Sequence, residues 1–170
     1  ITLPSNYTVG ATGDLQNKGE LARLNKIAKA TDTITKFSDD LSFPLSDLTT
    51  KTLRYTQNNI HDFGWFADKR FHVLKGEVEV PNTNKKVTLW TMFTNNEADL
   101  WKNSIEYMHD AVYYYSLWNG DYPYKQCSAV DGTIAAGGGM EYPNVTVIGE
   151  SENAKYLEEV IMHEVGHNWF

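Results

Sequence analysis

An α+β architecture is predicted for this 170-residue chain, mostly β up to residue 94 and mixed α/β over 95–170. Three observations predict it. Val78, Val80 and Val87, Leu89 alternate on either side of Pro81-Asn82-Thr83-Asn84, the pattern of a hairpin. Leu100, Trp101, Ile105, Met108, Val112 and Tyr115 then share one helical face. Finally, the short apolar runs Cys127–Val130 and Val145–Ile148 lie between helical patterns, as in a layered α/β unit.

Taken in order, residues 1–14 read as extended chain ending in the Gly13-Asp14 turn. Glu20 to Ala30 places Leu21, Leu24, Ile27 and Ala28 at helical spacing. Ser38 to Ser46, polar and interrupted by Pro44, reads as a loop, and residues 51–80 are rich in β-branched and aromatic types. A long helix is expected from a cap at Asn95 or Asn96 through Asn119, stopped by Gly120. A glycine-rich loop at 131–139 follows the first short strand, and Ser151 or Asn153 opens the last helix.

Bulk properties exclude some functions. A net charge of −7 argues against nucleic acid as a partner, because phosphate backbones require clustered Lys and Arg. No apolar run approaches the roughly 18 residues of a membrane span. Cys127 is the single cysteine, so neither an internal disulfide nor a cysteine metal cluster can form. The chain opens at Ile1 and closes at Trp169-Phe170 without a helix stop signal, and is expected to be a fragment of a longer polypeptide.

The last helix carries His163-Glu164-Val165-Gly166-His167, an HExxH pattern. Histidines four apart lie on one helical face, so both imidazoles can reach one metal ion. Glu164 sits about 100° further round, placed to address a water rather than to bind the metal. Two nitrogen ligands, a third ligand from elsewhere and an open position form the arrangement of a zinc hydrolase. Val160, Ile161, Val165 and Trp169 make the surroundings apolar, which suits a buried site. The metzincin pattern needs Gly where Phe170 stands, so that class is disfavoured.

Upstream lies Gly137-Gly138-Gly139-Met140-Glu141-Tyr142-Pro143. A phosphate loop is excluded by charge: no Lys or Ser/Thr follows at the required place, and Glu141 would repel the ligand. Together the two stretches resemble the aminopeptidase N family of zinc metallopeptidases, the gluzincins with HExxH-x18-E and an upstream GxMEN motif. Gly138-Gly139-Met140-Glu141-Tyr142 matches GxMEN except that Tyr142 replaces Asn. Asn168-Trp169-Phe170 resembles the family's continuation with Asn for Gln, and Asp62-Phe63-Gly64-Trp65-Phe66-Ala67-Asp68 resembles the end of its N-terminal β domain.

The resemblance implies that residues 1–94 close a β-saddle domain and that 95–170 open a thermolysin-like catalytic domain. It implies Zn2+ held by His163 and His167, with Glu164 as the catalytic proton carrier. Gly138, Gly139, Met140, Glu141 and Tyr142 would bind substrate, Glu141 pairing with the free α-ammonium of a peptide. The family's third zinc ligand, a Glu, and its transition-state Tyr would come from the rest of the parent polypeptide beyond Phe170. The fragment alone is therefore expected to be inactive. A catalytically dead relative serving as a protein-binding scaffold is the alternative. Compartment stays open, with an extracytoplasmic location suggested by the Met-less start and the resemblance.

Other chemistry-bearing residues are read as structural. His61, His72 and His109 have no partner at metal spacing, and nothing near Cys127 would activate a thiol. Tyr113-Tyr114-Tyr115 is read as helix packing. Asn6-Tyr7-Thr8 and Asn144-Val145-Thr146 are glycosylation sequons by pattern, the second within a predicted strand.

Overall fold

The computed structural model describes residues 1–134 and 137–170. Ala135 and Ala136, within the loop expected at 131–139, lie outside the described residues.

The first part is built from short paired strands and one helix. Strand β1 (Thr2–Pro4) precedes β2 (Thr8–Ala11) and β3 (Asp14–Leu15), and helix α1 (Lys18–Thr31) follows. Then come β4 (Thr50–Thr52), β5 (Tyr55–Thr56) and β6 (Trp65–Asp68). Each pairs antiparallel with an earlier partner: β1 with β4, β2 with β6, β3 with β5. Gly13 has φ +96°, as the tight turn into β3 requires, and a Cβ there would stand 2.9 Å from the Thr56 backbone.

The second part is a five-stranded sheet with order β10-β11-β9-β8-β7. Its strands are β7 (His72–Glu79), β8 (Lys86–Phe93), β9 (Gln126–Asp131), β10 (Gly139–Tyr142) and β11 (Val145–Ile148). The pairs at both edges are antiparallel, whereas β8, β9 and β11 run parallel. The expected hairpin is therefore β7–β8, in register Val78↔Val87 and Gly76↔Leu89. The sheet takes two strands from before residue 94 and three from after it, so its packing runs across that position.

Burial on both faces explains the composition of β8, since a covered strand needs apolar side chains in both directions. Val87, Leu89 and Phe93 join Trp101, Met108, Val112, Leu157 and Ile161 in one core cluster. Trp90 and Met92 point the other way, into a cluster with Leu24 and Ala28 of α1 and with Val73 and Val130. One face of the sheet thus carries the later helices, and the other carries α1.

The expected long helix after residue 94 is in fact two: α2 (Ala98–Trp101) and α3 (Ser104–Asn119). Asn95 does not cap it, because its side chain meets His72 Nε2 at 2.7 Å and donates to the Asp40 carbonyl at 2.8 Å. The break falls at Lys102-Asn103, where Asn is a poor helix-interior residue. On one side Trp101 stacks on Phe93; on the other Ser104 donates to Thr91 at 2.8 Å. Gly120, with φ +97°, ends α3 as expected. A second revision concerns 139–142, expected as loop end and connection but found as the edge strand β10. No helix among the described residues is long and apolar enough to cross a membrane.

Glu20 locks α1 to β4. Its Oε1 lies 2.8 Å from Arg23 and 2.7 Å from Lys51, and the residue is buried. Burial works to raise its pKa, but the hydrogen bonds and charges of Arg23 and Lys51 outweigh it and bring the carboxyl below 4.5. The unfolded chain therefore takes up the proton first. The stability Glu20 contributes is full above its unfolded pKa and is lost as pH falls through the lower folded value. Glu20→Gln is expected to flatten the acid limb of thermal stability against pH and to cost about 1–3 kcal/mol at neutral pH. An unaltered acid limb in the variant contradicts this role.

Candidate metal centre and peptide site

The site rests on the last helix, α4 (Ala154–Gly166). Asn153 caps it, its Oδ1 accepting the Tyr156 N–H at 3.0 Å. Leu157, Val160, Ile161 and Val165 face the core, which fixes the roll of the helix. That roll leaves His163 and His167 exposed and turns Glu164 inward at 5 % exposure.

The two imidazoles converge, with Nε2 atoms 3.2 Å apart and ring centroids at 4.9 Å. Two nitrogens on one tetrahedral ion, each bonded at about 2.0–2.1 Å, stand about 3.3–3.4 Å apart. The observed separation fits that arrangement. An oxygen of Glu141, an oxygen of Glu164 and a ring nitrogen of His167 also lie within 4.8 Å of one another, a group able to hold a metal ion.

Glu164 has an unusual setting. Its Oε2 is buried and has no hydrogen-bond partner among the described residues. Burial pushes its pKa up, the two histidines oppose that, and Glu141 adds to it. A carboxyl so placed holds a proton more readily than a solvated one, a property expected of a group that relays protons.

Strand β10 delivers Glu141 to the same place. It lies at the edge of the sheet, paired on one side with β11 in register Gly139↔Ile148 and Glu141↔Thr146. The pleat sends Gly139 and Glu141 to one face, Met140 and Tyr142 to the other. A Cβ on Gly139 would stand 2.4–2.6 Å from Glu164, so an added methyl fits only if that carboxyl turns aside. Gly138, at φ +70°, makes the turn into the strand, and its carbonyl accepts the Gly149 N–H at 2.7 Å.

The structure thus gathers His163, Glu164, His167, Gly139 and Glu141. It does not bring Tyr142 to them. The Tyr142 ring packs on Phe66 at 5.8 Å, over Gly64, whose Cβ would stand 2.6 Å from the ring. Met140 shares that opposite face and is exposed.

The residues set aside in the sequence have structural surroundings. His72 packs against Phe37 and Phe93, His109 stacks on Tyr113, and His61 is exposed. Cys127 is buried, and that burial pushes its thiol up to about 12. Tyr115 supports Trp169, whose indole N–H donates to the Gly120 carbonyl at 2.7 Å. Two further residues escaped the sequence reading. Asn144, noticed there as a sequon, is wholly buried and ties several segments together. Asp131 is a half-buried carboxylate accepting the Thr94 N–H and hydroxyl, each at 2.9 Å. The signal for Asn144 was its place after Pro143 between two strands, a turn position.

No protein family is matched at the level of sequence, and no curated protein is either. Solved structures are matched. One is a mutant of a two-domain M1 zinc metallopeptidase bound to L-arginine, at TM-score 0.58 and 15% identity over 99% of this chain and 32% of that one. Another is the M1 zinc metallopeptidase of Deinococcus radiodurans, at TM-score 0.56 and 16% identity over 99% and 32%. A mutant of the Deinococcus radiodurans enzyme matches at TM-score 0.56 and 15% identity over 99% and 33%. At this identity the likeness establishes the fold: a mixed α+β arrangement resembling part of an M1 metallopeptidase. The chain spans about a third of the length of the structures it matches.

Proposed function

We propose that this chain is part of a zinc-dependent aminopeptidase of the M1 type. One observation carries the reading. An edge-strand carboxylate, Glu141, lies within 4.8 Å of Glu164 and His167, and the His163 and His167 nitrogens stand 3.2 Å apart. The resemblance in both motifs and the shared fold support the same assignment.

In this reading His163 and His167 hold the metal, and the rest of the polypeptide contributes the third ligand. When bound, zinc supplies Lewis acidity, polarising the scissile carbonyl and making water a better nucleophile near neutral pH. Glu164 takes the proton of the attacking water and delivers it to the leaving amine. Its burial and raised pKa suit both transfers. Glu141 pairs with the substrate's α-ammonium and so counts one residue in from the N-terminus. The free amino acid held by one matched structure, L-arginine, carries such an ammonium and is of the kind this reaction releases. The outer edge of β10 offers backbone groups to an extended peptide beside Glu141. By itself the chain is expected not to hydrolyse peptides, for want of the third ligand.

The catalytic part is taken to open near residue 95, and β8, just before that position, pairs with β9, which follows it, inside one sheet. The reading is tested on the full-length polypeptide with a short unblocked peptide. Hydrolysis should stop on chelation and return with added zinc. Hydrolysis indifferent to chelation overturns the metal assignment.

A further inference from the structure

We infer that Asn144 and Asn168 form a positioning pair that sets Glu141 against the His163–Glu164–His167 group. This rests on the aminopeptidase reading, which assigns Glu141 to the substrate ammonium. Asn144 occupies the turn between β10 and β11, three residues after Glu141, with φ +52° and no exposure. Pro143 precedes it and stiffens that turn.

Every polar group of Asn144 is engaged. Its backbone N–H donates to Asn168 Oδ1 at 3.0 Å, and its carbonyl accepts the Ser128 N–H at 3.0 Å. Its side-chain Oδ1 accepts the Gly13 N–H at 2.8 Å and Gln126 Nε2 at 2.6 Å. Its Nδ2 donates to Gln57 at 3.3 Å. Buried networks satisfied in this way have one low-energy arrangement and hold their members rigidly.

Asn168 is the other half. It follows His167 directly, and its Nδ2 donates to the Val165 carbonyl at 2.9 Å, which fixes the rotamer that presents Oδ1 to Asn144. One hydrogen bond therefore links the residue after the second histidine to the turn after Glu141. The two halves of the site come from different elements, an edge strand and a helix. An edge strand has a pairing partner on only one side, so it depends on such a tie for its position. Burial also closes the Asn144-Val145-Thr146 sequon to glycosylation in the folded chain.

The test compares Asn168→Leu, which removes the acceptor at similar volume, with Asn168→Asp, which keeps it, in the full-length polypeptide. Two readouts are taken: KM and kcat on a free tripeptide, and calorimetric binding of that tripeptide to the metal-free protein. Asn168→Leu is expected to raise KM about tenfold with a smaller change in kcat, and to weaken binding similarly. Asn168→Asp keeps the acceptor but loses the Nδ2 donor to Val165, so it should restore both in part. Should Asn168→Leu not fold, Asn168→Ala removes the acceptor with less steric demand. KM and binding at wild-type values in either apolar variant, or no rescue by Asn168→Asp, overturn the inference while leaving the functional reading intact. A wild type that neither hydrolyses nor binds the free peptide overturns both.

Discussion

Glu164→Gln in the full-length polypeptide is expected to lower kcat for peptide hydrolysis about 10²–10⁴-fold, the range for loss of a positioned acid–base group. Thermal unfolding should change little or improve. The wild-type carboxyl is buried, its Oε2 has no hydrogen-bond partner among the described residues, and burial raises its pKa, so a neutral amide of the same shape removes an unfavourable charge. Metal content should be retained, because the two imidazoles are untouched. The combination of large kcat loss, retained zinc and unimpaired stability separates a proton carrier from a structural residue. Equal loss of zinc and activity would instead make Glu164 a ligand, which its place between Glu141 and His167 also permits geometrically.

The second large effect is expected at Glu141. Glu141→Gln should cut kcat/KM for an unblocked peptide by about 10- to 100-fold, the equivalent of one charge-assisted hydrogen bond. Any slow cleavage of an N-acetylated peptide should be unchanged, since an amide has no ammonium to pair. Glu141 is exposed at the edge of the sheet, so its substitution leaves the core clusters intact and stability should follow the wild type. The diagnostic quantity is the ratio of the two substrates, measured side by side. A ratio that survives the substitution removes Glu141 from substrate recognition.

The parts of this molecule legible in sequence are those set by local rules. The cap at Asn153, the apolar positions Val160, Ile161 and Val165 and the four-residue spacing of His163 and His167 all belong to one helix and its cap. Val87 and Leu89 were readable because one face of β8 alternates cleanly, whereas Trp90 and Met92 blurred the pattern by being buried on the other face. Strand β10 was not legible. Gly139-Met140-Glu141-Tyr142 has no apolar alternation, and its extended form comes from pairing with β11. The same holds for Asn144, whose partners lie 131, 87, 18 and 24 residues away along the chain. Local periodicity carries no information at such separations. Tyr142 shows the converse: a motif position suggested a substrate contact, but the pleat turns its ring toward Phe66 and away from the site.

Hydrolysis of one peptide and its N-acetylated twin by the zinc-loaded full-length polypeptide, with the released N-terminal residue identified, decides whether Glu141 reads a free N-terminus. Stepwise release from the free peptide and little from the twin is expected. Equal cleavage of both, or release of internal fragments, would contradict the assignment of Glu141 and with it the aminopeptidase reading.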